Sequence, residues 1–381
     1  MNEERLAGRV DRIAILDGYR ALAIVAVMAF HYTIRWTAPH DVPAHIRAAS
    51  LFVGFVPFEY GWMGVELFFV ISGFVILMTL KRCSGPADFA RRRFARLWPA
   101  LIVGAALTGI VVNWIGPPDW KIKLVDYLTS LTLINPRLFD FTGLNANWVD
   151  GAYWSLWVEL RFYFLIAALF FPAKRHFLKS WLAVQFSAAL VWLALPAVRH
   201  KVTFFDFLPY FTVGICAFEL WSKSRERQLA LAGTALAAGL ILYAAAAGRG
   251  VFAGCDPTAA VAANLLIFLL FALLLRGSPL LRPFAWPPVV ALGEASYSLY
   301  LFHEAIGVSL LQRFSGLPFL LALALTVAIC IAAALAMRGW VEVPAKAWLT
   351  ESRSGNGLNV LQETLDSPEE LDRDPVEIVR V

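Results

Sequence analysis

Hydrophobic stretches of about 20 residues recur along the chain, separated by short polar segments. Stretches of this length are typical of membrane-spanning α-helices, because a helix satisfies all its backbone groups internally within lipid. The pattern predicts about ten such helices, at 13–34, 57–80, 98–115, 153–172, 180–198, 204–221, 228–247, 257–275, 289–312 and 316–336. Residues 124–139 form either an interfacial helix or a loop. The predicted fold class is therefore all-α, a transmembrane helix bundle.

The composition agrees with this fold class. Hydrophobic residues make up 59% of the 381 residues and charged residues only 16%, a balance that excludes an ordinary soluble enzyme. The first stretch is too long, and too polar in its first half, for a secretory signal, so it is expected to be a retained helix. One transmembrane domain is predicted over 10–350, followed by an acidic tail, 351–381, that is expected to be disordered.

The distribution of Lys and Arg predicts the orientation in the membrane. These residues concentrate in the N-terminal segment and in alternate loops, such as 81–96, 174–179 and 223–227. The positive-inside rule then predicts cytoplasmic N- and C-termini in a multi-pass protein of the bacterial inner membrane. Contact with the lipid bilayer explains the formal net charge of +5, so no nucleic-acid partner is expected.

The four cysteines predict neither a disulfide nor a metal site. Only Cys255 falls in a predicted outer loop, so it has no partner there, and Cys83, Cys216 and Cys330 show no metal-ligand spacing.

Ionisable residues inside a membrane span are costly and are therefore candidates for function. The first helix holds Asp17, Arg20 and His31. Arg20 and His31 are eleven residues apart, which places them within about 20° of one face and about 16 Å apart along the axis. The alternative is an Asp17–Arg20 ion pair with His31 as an interfacial residue.

A cluster of arginines precedes the third helix. Arg92, Arg93 and Arg96 are neighbours at helical spacing. Clustered guanidinium groups favour a bound anion, and their geometry suits phosphate. Anchoring to lipid headgroups at the inner surface is an equally good interpretation of the spacing alone.

Polar residues also fall in the predicted outer halves of other helices. Glu66 and Ser72 belong to the second helix, Ser155 and Glu159 lie one turn apart in the fourth, and His303 lies in the ninth. For Glu66 and Ser72 the alternative to a functional role is helix packing. For His303 it is a structural hydrogen bond.

Five motifs, in this order along the chain, resemble the acyltransferase-3 family of membrane O-acyltransferases, which acetylate polysaccharides, lipopolysaccharides and Nod factors. The resemblance covers roughly residues 12–345. The motifs are Leu16-Asp17-Gly18-Tyr19-Arg20 with Phe30-His31, Gly64-Val65-Glu66-Leu67-Phe68-Phe69 with Ser72-Gly73-Phe74, Arg93 and Arg96 before Leu97-Trp98-Pro99, Trp154-Ser155-Leu156 with Glu159, and Ser296-Tyr297-Ser298-Leu299-Tyr300-Leu301-Phe302-His303.

The resemblance implies an acyl-CoA donor, foremost acetyl-CoA, as a co-substrate rather than a tightly bound cofactor. It implies donor binding by Arg20, Arg93 and Arg96, beside Asp17, and catalysis by His31. Two positions depart from the family pattern. Glu66 stands where Asp is usual, which keeps the charge but changes its reach, and Tyr19 stands where Leu or Ile is common.

The hypothesis that follows is transfer of an acyl group, foremost acetyl, to a hydroxyl of a cell-surface or lipid-linked glycan. His31 acts as general base or carries the acyl group transiently, while Glu159 or Glu66 orients or charge-balances its ring. Ser72, Ser155 and His303 support the substrate or the site. A proton-coupled transporter of a small solute is the main alternative, and helix breaks in mid-membrane would favour it. A catalytically silent membrane sensor is the third possibility.

Overall fold

The computed structural model describes residues 3–37, 52, 54–195 and 204–351. All regular structure within these residues is helical, and nine of the helices there are long and apolar enough to cross a membrane. The predicted all-α multi-pass fold is confirmed. The predicted acidic tail lies, beyond its first residue, outside the described residues, and the orientation of the termini stays a prediction.

Fifteen α-helices follow one another along the described chain. They are α1 (Glu3–Thr33), α2 (Val56–Glu59), α3 (Gly64–Leu80), α4 (Pro86–Ile115), α5 (Leu124–Leu131), α6 (Trp154–Phe170), α7 (Phe177–Ala194), α8 (Phe204–Trp221), α9 (Arg227–Ala246), α10 (Pro257–Arg276), α11 (Pro287–Glu294), α12 (Ser296–Tyr300), α13 (His303–Arg313), α14 (Phe319–Met337) and α15 (Val343–Glu351). A π-helix, Arg338–Glu342, joins α14 to α15.

The prediction of one continuous helix over 289–312 is wrong. This region consists of α11, α12 and α13, and the chain leaves helical geometry at Phe302, where φ is −143° and ψ is −1°. A break inside a membrane frees backbone carbonyls, which need new donors. The Tyr32 hydroxyl donates to the carbonyl of His303 over 2.6 Å, and the His303 ring lies 3.0 Å from the carbonyl of Tyr300. Residues 287–313 are called the broken segment below.

Close helix crossings surround α1 and α3. A Cβ added at Gly73 would lie 2.2 Å from the carbonyl oxygen of Phe211, and one at Gly214 would lie 2.0 Å from that of Val70. Only glycine therefore allows α3 and α8 to pack at this distance, a common use of small residues between membrane helices. The helix-packing interpretation of the segment around Ser72 is correct for Gly73.

Candidate active site

The two histidines predicted from separate helices meet where α1 approaches the break. Nδ1 of His31 lies 2.9 Å from Nε2 of His303, and the two rings lie edge to edge, nearly in one plane, with centroids 5.0 Å apart. His303 is fully buried, and the His31 side chain is 13% exposed. The sequence predicted the two histidines as separate candidates, and in the structure they form one hydrogen-bonded pair.

The hydrogen bonds of this pair define where its protons lie. A carbonyl oxygen only accepts, so Nδ1 of His303 donates to the Tyr300 carbonyl. In the neutral ring, Nε2 of His303 then accepts, and Nδ1 of His31 donates to it. Nε2 of His31 is left with its lone pair free, which is the state required of a general base or a nucleophile.

Asp150, in the loop before α6, fixes the turn that carries His303. Its carboxylate accepts one hydrogen bond from the backbone N–H of Ala152 and another from that of Ala305, each of 2.9 Å. The second bond caps the start of α13 with a side chain from a different element. Burial, together with the nearby Glu304 carboxylate, holds the pKa of Asp150 well above its ordinary range.

Glu304 is the carboxylate nearest to the free nitrogen of His31. Its Oε2 lies 4.0 Å from Nε2 of His31, and its side chain is largely buried at the first turn of α13. A carboxylate in this position stabilises a positively charged imidazole. The sequence assigned this role to Glu159 or Glu66, and no hydrogen bond or ion pair between described residues joins either of them to His31.

Glu159 lies deeper in the protein, toward the arginines. Its Oε1 accepts hydrogen bonds from the hydroxyls of Ser72 and Tyr163, both of 2.7 Å. Glu66 is 1% exposed, and its Oε2 has no hydrogen-bond partner among the described residues. The structure therefore brings Ser72 and Glu159 together and leaves Glu66 apart from them.

Ser155 supports the broken segment. Its hydroxyl lies 2.7 Å from that of Tyr300, and both hydroxyls reach the carbonyl of Ala152. The ring of Tyr300 in turn lies 5.3 Å from that of His303. Ser155 thus connects α6 to the histidine pair through Tyr300.

A cavity of about 720 Å³ runs from Ser155 and Tyr300 toward the arginine cluster; we call it the central cavity. Its polar lining comprises Arg20, Ser72, Arg93, Arg96, Ser155, Glu159, Tyr163, Ser296, Tyr297 and Tyr300. A second cavity of about 970 Å³, the arginine vestibule, shares Arg20, Arg93 and Arg96 with it and adds Asp17, Glu294, Arg338, Glu342 and Lys346. The three arginines predicted to bind the donor therefore stand where the two cavities meet.

Most of the charges in the arginine vestibule are paired. Arg20 contacts Asp17 at 2.5 Å, as the ion-pair interpretation of α1 required, and Arg338 contacts Glu294 at 2.5 Å. Arg96 forms an ion pair with Glu342, which the π-helix presents and which also accepts from Ser298.

Arg93 differs from these arginines. No ion pair joins it to a carboxylate in the part of the chain that the structure describes, and its Nε is buried without a hydrogen-bond partner there. Its guanidinium carbon lies 5.8 Å from the ring centres of Phe89 and Tyr163, which hold it in place. By contrast, Arg91 and Arg92 contact Asp88 on the surface of α4. Arg93 is therefore the cation of the cluster with the most capacity for a bound anion.

A family model described as an acyltransferase domain, Acyl_transf_3, matches residues 13–338. The chain belongs to the acyltransferase-3 family. The family and the class of enzyme predicted from the sequence, an acyltransferase, are thereby confirmed. The match contains the histidine pair, Asp150, and the three arginines between the cavities.

Several curated proteins are similar to this acyltransferase-3 chain. The exopolysaccharide production protein ExoZ of Rhizobium meliloti is 29% identical over 65% of this chain and 76% of its own length. The peptidoglycan O-acetyltransferase OatA of Listeria monocytogenes is 28% identical over 39% of this chain and 23% of its own. OatA of Staphylococcus aureus is 22% identical over 76% and 50%. The chain thus spans half or less of the two OatA proteins, and no solved structure matches it.

Sequence reasoning missed four residues of the acyltransferase-3 site: Asp150, Tyr300, Glu304 and Glu342. Glu304 follows His303 directly, so the rule that singles out ionisable residues in a span applies to it equally. Glu342 lies beyond the last predicted span, 316–336, so that rule did not apply to it. No group of His, Cys, Asp and Glu among the described residues could hold a metal ion.

Proposed function

We propose that this enzyme transfers an acetyl group from acetyl-CoA to a hydroxyl of a cell-surface or lipid-linked glycan, with His31 as the catalytic residue. One observation carries the proposal. The histidine pair, with the lone pair of His31 Nε2 left free, lies behind Tyr300, which lines a cavity that Arg20, Arg93 and Arg96 also line.

The arginine vestibule suits the donor. Coenzyme A carries several phosphate groups, which arginine side chains bind well. In the vestibule Arg93 is available for a phosphate, while Arg20 and Arg96 already have carboxylate partners that leave part of their donors free. The narrower central cavity would then take the pantetheine arm, which points the thioester toward Tyr300 and the histidine pair.

The reaction follows from the proton positions. His31 Nε2 takes the proton of the acceptor hydroxyl, and the oxygen attacks the thioester carbonyl carbon. The carbon–sulfur bond breaks, and the thiolate takes the proton from His31, which releases coenzyme A as the thiol. During the step Glu304 stabilises the charged ring of His31 from 4.0 Å. The same nitrogen would serve as nucleophile if the acetyl group passes transiently through the histidine.

The names of similar proteins support acetyl as the transferred group and a glycan as the acceptor. Two of them are called O-acetyltransferases, one of peptidoglycan, and a third is called an exopolysaccharide production protein. Two of the three names, those of ExoZ and the Listeria OatA, refer to polysaccharides made outside the cell membrane. An acceptor of this kind lies on the side of the membrane opposite to coenzyme A, which fits a site reached from two ends.

The transporter alternative predicted breaks in the membrane helices, and the chain leaves helical geometry at Phe302, in a segment outside the nine helices that could span a membrane among the described residues. The break carries His303, whose ring is used in the hydrogen bond to His31. Membership of an acyltransferase family also favours group transfer over transport. Acyl transfer is therefore the one function proposed.

The proposal is tested with purified protein in nanodiscs, labelled acetyl-CoA and de-O-acetylated surface polysaccharide from the producing cells. Label should appear on the polysaccharide with the wild type and disappear with His31→Ala. The exposed His176 provides a matched control, and His176→Ala should transfer normally. Mass spectrometry of surface glycans from a deletion strain should show loss of a fixed mass per repeat unit. Unchanged glycans together with absent transfer would refute the proposal.

A further inference from the structure

A third cavity, of about 720 Å³, is lined by Glu304, next to the histidine pair. Three indole rings from three different segments line it. Trp36 follows α1, Trp120 follows α4, and Trp148 precedes α6, while Glu304 contributes its carboxylate. We call this cavity the indole pocket.

The indole pocket adjoins the reacting atoms. The Glu304 carboxylate that lines it is 4.0 Å from Nε2 of His31. The central cavity shares no lining residue with the indole pocket and ends near the same pair at Tyr300, whose ring is 5.3 Å from that of His303. A molecule in the indole pocket would therefore meet the thioester at His31 without sharing the path of coenzyme A.

The lining of the pocket combines flat apolar surfaces with hydrogen-bonding groups. Trp36 and Trp120 pack edge to face, with ring centres 4.7 Å apart, and all three indoles keep part of their surface accessible. The Nε1 of Trp36 is buried and makes no hydrogen bond to any described residue. The side chain of Asn147 is exposed, and its backbone N–H is fixed by a 2.8 Å bond to Asp126.

We propose that the indole pocket is the acceptor subsite and that it binds a saccharide; this inference rests on the proposed function. Sugar rings present C–H faces, which stack on indoles, and hydroxyls, which both donate and accept hydrogen bonds. Three acidic residues, Asp119, Asp126 and Glu304, and one basic residue, Lys121, line the pocket, so it disfavours a polyanion and suits a neutral saccharide. A lipid tail offers no hydrogen bonds to these polar groups, whose burial against it would be costly.

The spacing of two acceptors adds chemical detail. Nε2 of His31 and Oε2 of Glu304 are 4.0 Å apart, and each can accept one hydrogen bond. Neighbouring hydroxyls of a sugar ring are close enough to donate to both at once. One hydroxyl then donates a hydrogen bond to Nε2 of His31 and acts as the nucleophile, while its neighbour donates to Oε2 of Glu304. The subsite therefore selects a saccharide with adjacent free hydroxyls.

The test measures the KM for the acceptor and the KM for acetyl-CoA, with de-O-acetylated surface polysaccharide as the acceptor. Trp120→Ala should raise the acceptor KM about tenfold and Asn147→Ala severalfold, with the acetyl-CoA KM unchanged. Trp120→Phe should recover most of the loss. Trp114, at the end of α4, is 82% exposed and outside the pocket, so Trp114→Ala is the matched control and should leave both constants unchanged.

Binding of the polysaccharide is also followed by intrinsic tryptophan fluorescence, which requires no transfer. If the wild type binds the polysaccharide but does not acetylate it, the proposed function fails while loss of binding in Trp120→Ala still supports the subsite. If the wild type transfers acetyl and neither Trp120→Ala nor Asn147→Ala changes the acceptor KM or binding, the subsite is refuted. Absence of any saccharide binding by the wild type refutes it as well.

Discussion

Nδ1 of His31 lies 2.9 Å from Nε2 of His303, although the two residues are 272 positions apart in the chain. The contact requires the break at Phe302, because a continuous helix would not expose the His303 carbonyl to Tyr32 or the Tyr300 carbonyl to the His303 ring. The irregular backbone and the polar pair therefore stabilise each other inside the membrane.

The first prediction concerns the second histidine. His303→Ala removes the acceptor that orients His31, so kcat should fall about 10²-fold, as observed when an orienting partner is lost. The KM for acetyl-CoA should stay within about twofold, because His303 does not line the arginine vestibule. Steady-state kinetics on both substrates measures the two effects. His176→Ala is again the control, and an unchanged kcat in His303→Ala would contradict the proton arrangement.

The second prediction separates two arginines of one motif. Arg93→Ala should weaken acetyl-CoA binding about tenfold or more, because it removes a charge-assisted contact to phosphate. Its effect on stability should be small, since Arg93 has no carboxylate partner among the described residues. Calorimetric titration with acetyl-CoA measures the affinity. The exposed Arg175 supplies the control, and Arg175→Ala should bind acetyl-CoA like the wild type. An unchanged affinity in Arg93→Ala would contradict donor binding by Arg93 and favour a role in membrane anchoring.

Arg96 should behave differently from Arg93. Arg96→Ala leaves Glu342 buried without its partner, which should destabilise the protein by about 2 kcal/mol. The double variant Arg96→Ala/Glu342→Gln should recover part of that loss, because no uncompensated charge remains. Thermal unfolding in detergent measures both variants. Equal stability of Arg96→Ala and the double variant would show that the ion pair carries no such coupling.

The third prediction tests the cap provided by Asp150. Asp150→Ala leaves the N–H groups of Ala152 and Ala305 without their acceptor, which should lower stability by about 1–2 kcal/mol and reduce kcat. Asp150→Asn keeps an accepting oxygen and should lose less. Asp140 is exposed in the same stretch between α5 and α6, so Asp140→Ala is the control. Full activity and stability in Asp150→Ala would refute the positioning role.

The fourth prediction compares two helix glycines. A Cβ at Gly73 would lie 2.2 Å from the Phe211 carbonyl oxygen, so Gly73→Ala should destabilise the α3–α8 crossing by about 1–3 kcal/mol. Gly239 in α9 has nothing within 4 Å of the same position. Gly239→Ala should therefore be neutral or stabilising by up to about 1 kcal/mol, through helix propensity alone. Thermal unfolding of the two variants side by side checks the prediction.

Much of the fold was predictable because a spanning helix is defined by its own residues. The bounds of α8 and α10 follow the apolar stretches closely, whereas the span predicted at 289–312 is divided into three short helices. Its break was not predictable, since the sequence around Leu301-Phe302 contains neither Pro nor Gly. The break depends on donors from Tyr32 and His303 that only the tertiary structure brings together.

The sequence predicted which residues form the candidate site, but not which of them contact one another. The cost of charge in lipid identifies His31 and Glu159 from the sequence alone, and helical spacing to Arg96 identifies Arg93. It does not predict which carboxylate lies beside which histidine ring, because helix rotation and tilt depend on packing. For this reason Glu304 lies beside His31, whereas Glu159 holds the hydroxyls of Ser72 and Tyr163.

The edge-to-edge contact of His31 with His303 has a consequence for the separation of the two cavities. Tyr300, beside His303, lines the central cavity, and Glu304, 4.0 Å from Nε2 of His31, lines the indole pocket. The pair therefore adjoins one lining residue of each cavity. A variant that empties this position does more than stop the reaction, since it removes the rings that lie between those two residues.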